Sequence, residues 1–390
     1  MKKRSTMIYL LALMFLTCTG YVQADDAESS EPVLVGAFYN LSGFQAGIDI
    51  PSAQGARLAV REINQKGGIQ GRPLELVLED GKSQPEVIRE KTTSLFEQHP
   101  AVTALMGFSD TDMVLAAAPI AAEQGRLFLT SGATSPHLPT QVPTYLFLAC
   151  FGDNVQAAAA AEWAHDELTA HSVAIVYDAT KSYTQLLQDY FRTRFEDLNG
   201  QVVSLQAFTN PDELHEAARS VGKADLVFFS AAAPEDIVNG IQVLRKGGYT
   251  GPILGGDGFD AEPLWHQHPE FDQVYFTTHA YLGADNIDPK VSAFRKAYTE
   301  AYPETPIDGF AALGYDSVYL LATAISQARS SEPGKVLEAL AGIDRFAGVT
   351  GVIGYPDGSR IPRKSVSIIR VEGGRRSLAK QLVPASVPVP

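Results

Sequence analysis

Basic charge, cysteine and long apolar runs are what this chain has least of. It carries 31 Lys and Arg against 45 Asp and Glu, a net charge of −14. A chain this acidic repels phosphate backbones and anionic lipid, which argues against nucleic acid and membrane surfaces as partners. Cysteine occurs twice, as Cys18 and Cys150. Cys18 falls in a segment that reads as removable, so the mature chain has no partner for Cys150 and rests on its core rather than on a disulfide. No stretch approaches the about 18 consecutive apolar residues of a spanning helix. GxxxxGK[ST] is absent. Gly256-Asp257-Gly258 lacks the third glycine of a dinucleotide fingerprint, because position 261 is alanine.

What is present begins with an export leader. Lys2-Lys3-Arg4 is a basic start, residues 7–16 are apolar, and Val22-Gln23-Ala24 supplies small residues for a cut after Ala24. A lipid anchor at Cys18 is the second reading, and Phe15-Leu16-Thr17 lacks the spacing it needs. Removing residues 1–24 deletes three positive charges and no acid, which takes the net charge from −14 to −17. The rest is a soluble composition, 45% hydrophobic, and 390 residues exceed what one core supports.

Periodicity then organises the chain. Strand-like runs at 33–39, 74–79, 101–107 and 126–130 alternate with helical patterns at 53–66, 85–98 and 113–124. A second series follows, with strands at 172–177, 202–208, 225–229 and 252–255 and helices at 154–168, 183–197, 212–221 and 235–246. Strict β–α alternation argues for parallel sheets covered by helices, here in two similar α/β lobes. From 273 the pattern changes to a strand, helices at 288–301, 309–328 and 333–341, and late strands at 349–354 and 365–371.

Residues 125–139, GRLFLTSGATSPHLP, focus the functional reading. A short buried strand opens into a loop of hydroxyls thinned by Gly132, which a small anionic group can approach. An ordinary surface turn explains the same stretch. The strand ends decide between them, because ligands of open α/β sheets bind beyond the carboxyl ends of strands. Polar loops lie at those ends, at 40–42, 109–112, 131–135, 178–183 and 256–260. They can converge on one cleft between the lobes.

Other motifs are weaker. Gly107-Phe-Ser109-Asp-Thr111 approaches the G-x-S-x-G nucleophile elbow, but its last position is threonine and no partner histidine follows in a convincing loop. His266, His268 and Glu270 read as a solvated turn rather than as metal ligands. Trp163 and Trp265 read as packing residues.

Taken together, the segments VGAFYNLSG (35–43), GARLAVREINQKGGIQGRPLELVLED (55–80), LMGFSDTDMVLAAAPIAAEQGRLFLTSGATSP (105–136), VAIVYDATKSY (173–183) and FRKAYTEAYPETPIDGFAALGYDSVYLLATAI (294–325) resemble the periplasmic solute-binding proteins of ABC transporters, in particular the leucine/isoleucine/valine-binding type. The resemblance spans nearly the whole mature chain. It implies two Rossmann-like lobes with parallel sheets, joined by three crossovers near 150, 279 and 350, with the ligand cleft between them. One lobe would take 31–149 and 279–350, the other 150–278 and 351–375, leaving 376–390 as a loose tail. It implies a non-enzymatic protein of the periplasm that needs no cofactor, does not insert in the membrane and hands an amino acid or related carboxylate to a membrane permease. A receptor role for the same clamp is the alternative, and an α/β hydrolase a further one.

The resemblance also implies the site. Thr111, with Ser109 close by, and the loop Gly132, Ala133 and Thr134 match the carboxylate-holding positions of the family. Asp257 matches the acid that holds the ammonium, where the family's usual residue is glutamate. Tyr183 matches a tyrosine of the second lobe and Phe310 an aromatic wall. A second tyrosine of the family falls on Ala232, and the missing ring leaves room for a bulkier ligand.

If the leader reading is right, the exported protein begins at Asp25. Intact mass checks this, and a diacylglyceryl-modified Cys18 at the N-terminus would overturn it.

Overall fold

The structure is a computed structural model that describes residues 31–390. The leader therefore lies outside the described residues. Five strands form the first sheet: β1 (Val33–Tyr39), β2 (Leu74–Asp80), β3 (Ala104–Gly107), β4 (Phe128–Thr130) and β5 (Leu146–Leu148). They are parallel, in the order β2-β1-β3-β4-β5. Helices α1 (Ala46–Gln65), α2 (Pro85–Gln98), α3 (Thr111–Glu123) and the short α4 (Leu138–Gln141) connect them.

The second sheet holds β6 (Ser172–Asp178), β7 (Gln201–Phe208), β8 (Leu226–Ser230), β9 (Ile253–Gly255) and β10 (Val274–Thr278), all parallel. Helices α5 (Asp153–Glu167), α6 (Ser182–Asp197), α7 (Pro211–Arg219), α8 (Pro234–Lys246) and α9 (Glu262–Gln267) cover it. The chain then returns to the first lobe with α10 (Pro289–Ala301), α11 (Gly309–Ala328) and α12 (Pro333–Ala341). Each sheet is sandwiched between two apolar clusters of buried side chains, as parallel sheets require. The chain thus crosses between the lobes after β5, after β10 and before the last strands.

Three expectations need correction. The third crossover is not near 350. The hairpin β11 (Phe346–Gly348) and β12 (Gly351–Ile353) still packs on the first lobe. There the Tyr355 hydroxyl donates to Leu148 O at 2.8 Å, and Leu148 N donates to Arg360 O at 2.9 Å. The crossing comes later, around Lys364, whose ammonium donates to Ala149 O at 3.1 Å and so ties the third crossover to the first. Short alternating strands do not say which sheet they join.

The tail from 376 is not loose. β13 (Val366–Glu372) and β14 (Arg375–Leu382) form an antiparallel hairpin that extends the second sheet beyond β10. Gly373 and Gly374, at φ 58 and 74, make the two-residue turn that suits twisted strands. The end of the tail is docked as well. The N–H groups of Ala385 and Ser386 donate to the Glu162 carboxylate, and Asn154 Nδ2 donates to Pro388 O at 3.0 Å. Finally, α1 begins at Ala46 rather than 53. Pro51 lies inside the helix and lacks the N–H that would bond Gly47 O, yet the helix runs on through it.

The tightest packing in the first lobe is between α1 and α11. A Cβ on Gly55 would lie 1.9 Å from Ala311 O, and one on Gly314 would lie 1.9 Å from Ser52 O. The two backbones touch there, and only glycine permits it. Overpacking of this kind costs about 1–3 kcal/mol or more. We expect Gly314→Ala to lower stability by at least that much in denaturant unfolding. Gly47→Ala, in open space on α1, should change it little.

Candidate functional site

The first-lobe wall is set by strained turns at strand ends. Gly107 ends β3 at φ 125, where a Cβ would meet Phe38 O at 1.9 Å, and Phe108 follows at φ 49. That turn delivers Ser109 and Asp110 to the start of α3. Asp110 caps the helix, accepting from the N–H groups of Asp112 and Met113 at 2.9 and 3.1 Å. Its other oxygen accepts from Gln45 Nε2 at 2.9 Å. Beneath it, Asp49 accepts from the N–H and the amide of Asn40, both at 2.8 Å. The Ser109 hydroxyl lies near Asp49 but in geometry too poor for a full hydrogen bond, and the buried Thr111 hydroxyl has no partner.

The loop after β4 behaves differently from expectation. Gly132 N–H donates to Phe108 O at 3.2 Å, and Ala133 N–H donates to Thr130 Oγ1 at 3.0 Å. These two amides are spent inside the loop and cannot hold a ligand carboxylate as they stand. Gly132 supplies room instead: a Cβ there would lie 2.9 Å from Ser109 Oγ and 3.1 Å from the Phe310 ring. Ala133 sits in the core beside Cys150. Thr134 remains as a loop residue that faces the cleft.

The second-lobe wall centres on Asp257, in the turn after β9. Its Oδ1 accepts from Tyr183 OH and Gln156 Nε2, both at 2.8 Å, and its Oδ2 faces His279 Nε2 at 2.9 Å. Gln156 Nε2 also donates to Asp153 Oδ1 at 2.9 Å, and Gln156 Oε1 accepts from Thr277 at 2.6 Å. His279 stacks on Phe151 with centroids 4.0 Å apart. With its proton on Nε2 for the carboxylate, Nδ1 is left without a partner. Among the described residues no lysine or arginine pairs with Asp257.

The lobes are closed on each other. Ser182 Oγ at the start of α6 donates to Asp112 at 2.6 Å, Lys181 lies 4.3 Å above the Phe44 ring, and Tyr190 OH meets His137 Nε2 at 3.3 Å. Between them a cavity of about 20 Å³ is lined by Gln45, Ile48, Ser109, Asp110, Thr134, Tyr183, Ala232, Asp257, Gly258 and Phe310. That volume holds about one water. The space expected from the small Ala232 is therefore taken up by closure, and any larger occupant requires the walls to move apart.

Of the residues singled out in the sequence, Ser109, Thr134, Tyr183, Ala232, Asp257 and Phe310 line this cavity, Thr111 and Gly132 lie just behind its wall, and Ala133 does not reach it. Gln45, Ile48, Asp110, Asp153, Gln156 and His279 were missed. Burial pushes three carboxyls up: Asp153 to about 8, with Asp257 nearby adding to it, Asp49 to about 7 and Asp110 to about 6. Burial pushes His279 down, toward the neutral ring. The Ser109 hydroxyl has no histidine to activate it, as a nucleophile needs. His266 and His268 turn to different partners, Gly374 O and Glu270.

A family model described as "Periplasmic binding protein" matches residues 32–375. The chain belongs to the periplasmic binding protein family. It is similar to the leucine/isoleucine/valine-binding proteins, and its family is one of solute-binding proteins rather than enzymes. Leu/Ile/Val-binding protein BraC3 of Rhizobium johnstonii is 26% identical over 347 residues, covering 88% of this chain and 92% of that relative. The structure of LivJ from Streptococcus pneumoniae, in complex with isoleucine, superposes with TM-score 0.81 at 29% identity, covering 92% of this chain and 100% of LivJ. A solute-binding protein from R. palustris in complex with benzoate shares the fold at TM-score 0.77 and 22% identity, over 92% of this chain and 98% of its own.

In this periplasmic binding protein the raised carboxyls make stability depend on pH. A carboxyl whose folded pKa exceeds its unfolded value of about 4 favours the fold when protonated, so its contribution is lost as pH rises from about 4 through the folded pKa. Asp153→Asn removes that loss at one site while keeping the acceptor for Gln156. Its stability relative to wild type should therefore improve as pH rises from 5 to 8 in denaturant titrations.

Proposed function

We propose that this protein is the exported capture component of an ABC uptake system and that it binds an amino acid or a close relative carrying both a carboxylate and an ammonium. The observation that carries this reading is the buried Asp257 carboxylate, met by a tyrosine, a glutamine and a histidine and by no lysine or arginine among the described residues lining the cavity. A buried carboxylate without a cation is costly, and a ligand ammonium supplies the missing charge. The hydroxyls of Ser109 and Thr134, joined by Thr111 once the walls move apart, then serve the ligand carboxylate from the first lobe. Each lobe grips one end, which couples binding to closure. Acidic lining also favours a zwitterion over a benzoate-like anion, which would meet Asp110 and Asp257 with no counter-charge. Cleavage after Ala24 and delivery to a membrane permease in the periplasm belong to the same proposal.

Native mass spectrometry of the exported protein identifies a co-purified solute. Calorimetry with that solute on Asp257→Ala tests the contact. Removing one partner of a desolvated charge pair costs about 2–5 kcal/mol, so affinity should fall at least about tenfold while the circular dichroism spectrum is kept. Unchanged affinity would overturn the amino-acid reading.

A further inference from the structure

A second cavity, of about 520 Å³, lies against the second crossover and shares no lining residue with the cleft. Its volume falls within the range of about 300–1,000 Å³ typical of small-molecule sites. Both lobes wall it. The first lobe contributes α10 and the loop leading into α11, the second contributes the β13–β14 turn, and residues 280–284 of the crossover complete it.

The charge of this cavity is opposite to that of the cleft. Three guanidinium groups line it, those of Arg295, Arg375 and Arg376, in a chain of net charge −14. Its two acids among the described residues are already committed. Asp260 takes Arg376 Nη1 at 2.5 Å on one oxygen, and Gly309 N–H at 2.9 Å with the Thr278 hydroxyl on the other. Asp308 caps α11, accepting from Ala311 N at 2.8 Å. Arg376 also donates to Ile307 O at 2.8 Å, so it is held across the lobes. Arg295 donates to Gly283 O, and neither Arg295 nor Arg375 forms an ion pair among the described residues. Leu282, Pro306, Ile307 and Ile369 supply an apolar stretch of the remaining wall, beside the polar Tyr281, Thr299 and Thr305.

We propose that this cavity is a second ligand site, separate from the solute cleft, for a small organic anion with an apolar body. Arg375 and Arg295 receive the anionic group, for which the guanidinium fork is suited, and the proline- and aliphatic-lined wall receives the body. Arg376 is excluded as the main contact, because its fork is occupied by Asp260 and Ile307.

Phenylacetate is the probe and phenylacetamide its uncharged control. Calorimetry on the mature protein should give a dissociation constant for phenylacetate of about 1 mM or tighter, and at least tenfold weaker binding of the amide. Arg375→Glu should weaken phenylacetate at least about tenfold, and Arg295→Gln should weaken it as well. Arg375 is exposed, so its replacement should leave the melting temperature unchanged, which separates lost binding from lost fold. The proposal is overturned if phenylacetate does not bind, if the amide binds equally well, or if binding ignores both arginine substitutions.

Discussion

Asp257 is a carboxylate shut away from bulk solvent, and the architecture around the cleft follows from how it is satisfied. Its donors come from three separate parts of the chain. Gln156 stands in the first turn of α5, just after the first crossover; Tyr183 opens α6; His279 begins the second crossover. One side chain thereby fixes two of the three connections between the lobes to the floor of the second. Lys364 ties the third connection to the first instead, by bonding Ala149 O. Two of the three connections and the binding wall are thus built from one polar network, whose bonds strengthen one another away from water. A change of charge at Asp257 reaches the connecting segments through direct bonds.

The first lobe is organised by the opposite device, the removal of side chains. Gly107 lets β3 turn against β1, Gly132 lets Ser109 approach Phe310, and Gly55 and Gly314 let α1 and α11 meet backbone to backbone. These positions make a rigid plate on which the wall residues stand. Rigidity there and polar bonding in the second lobe give the two halves different mechanical characters, though both descend from the same β–α repeat.

Much of this was legible in the sequence. Alternation of periods revealed two α/β lobes, and polar strand ends located the cleft, because period and turn chemistry are local properties. Asp257 was readable as an acid at a strand end. What was not readable lies at long range. Gln156 and Asp257 are 101 positions apart, and Gln156 and Thr277 are 121. Nothing near Gln156 marks it as a bridge. The same limit hid the fate of the Gly132 and Ala133 amides, which depend on where Phe108 and Thr130 fall. It also hid β5, three residues long, and the hairpin of β13 and β14, whose Gly-Gly turn was present in the sequence but went unused.

Cys150 sits at the first crossover, fully buried, with its thiol directed at Ala133 O at 3.3 Å. Burial pushes the thiol's pKa well up, so it stays protonated and unreactive toward maleimides and disulfides. It is the one cysteine among the described residues. A cysteine engineered onto each lobe can therefore carry a fluorophore pair without first deleting the native one. The molecule is in this sense already prepared as an optical ruler for the angle between its own halves.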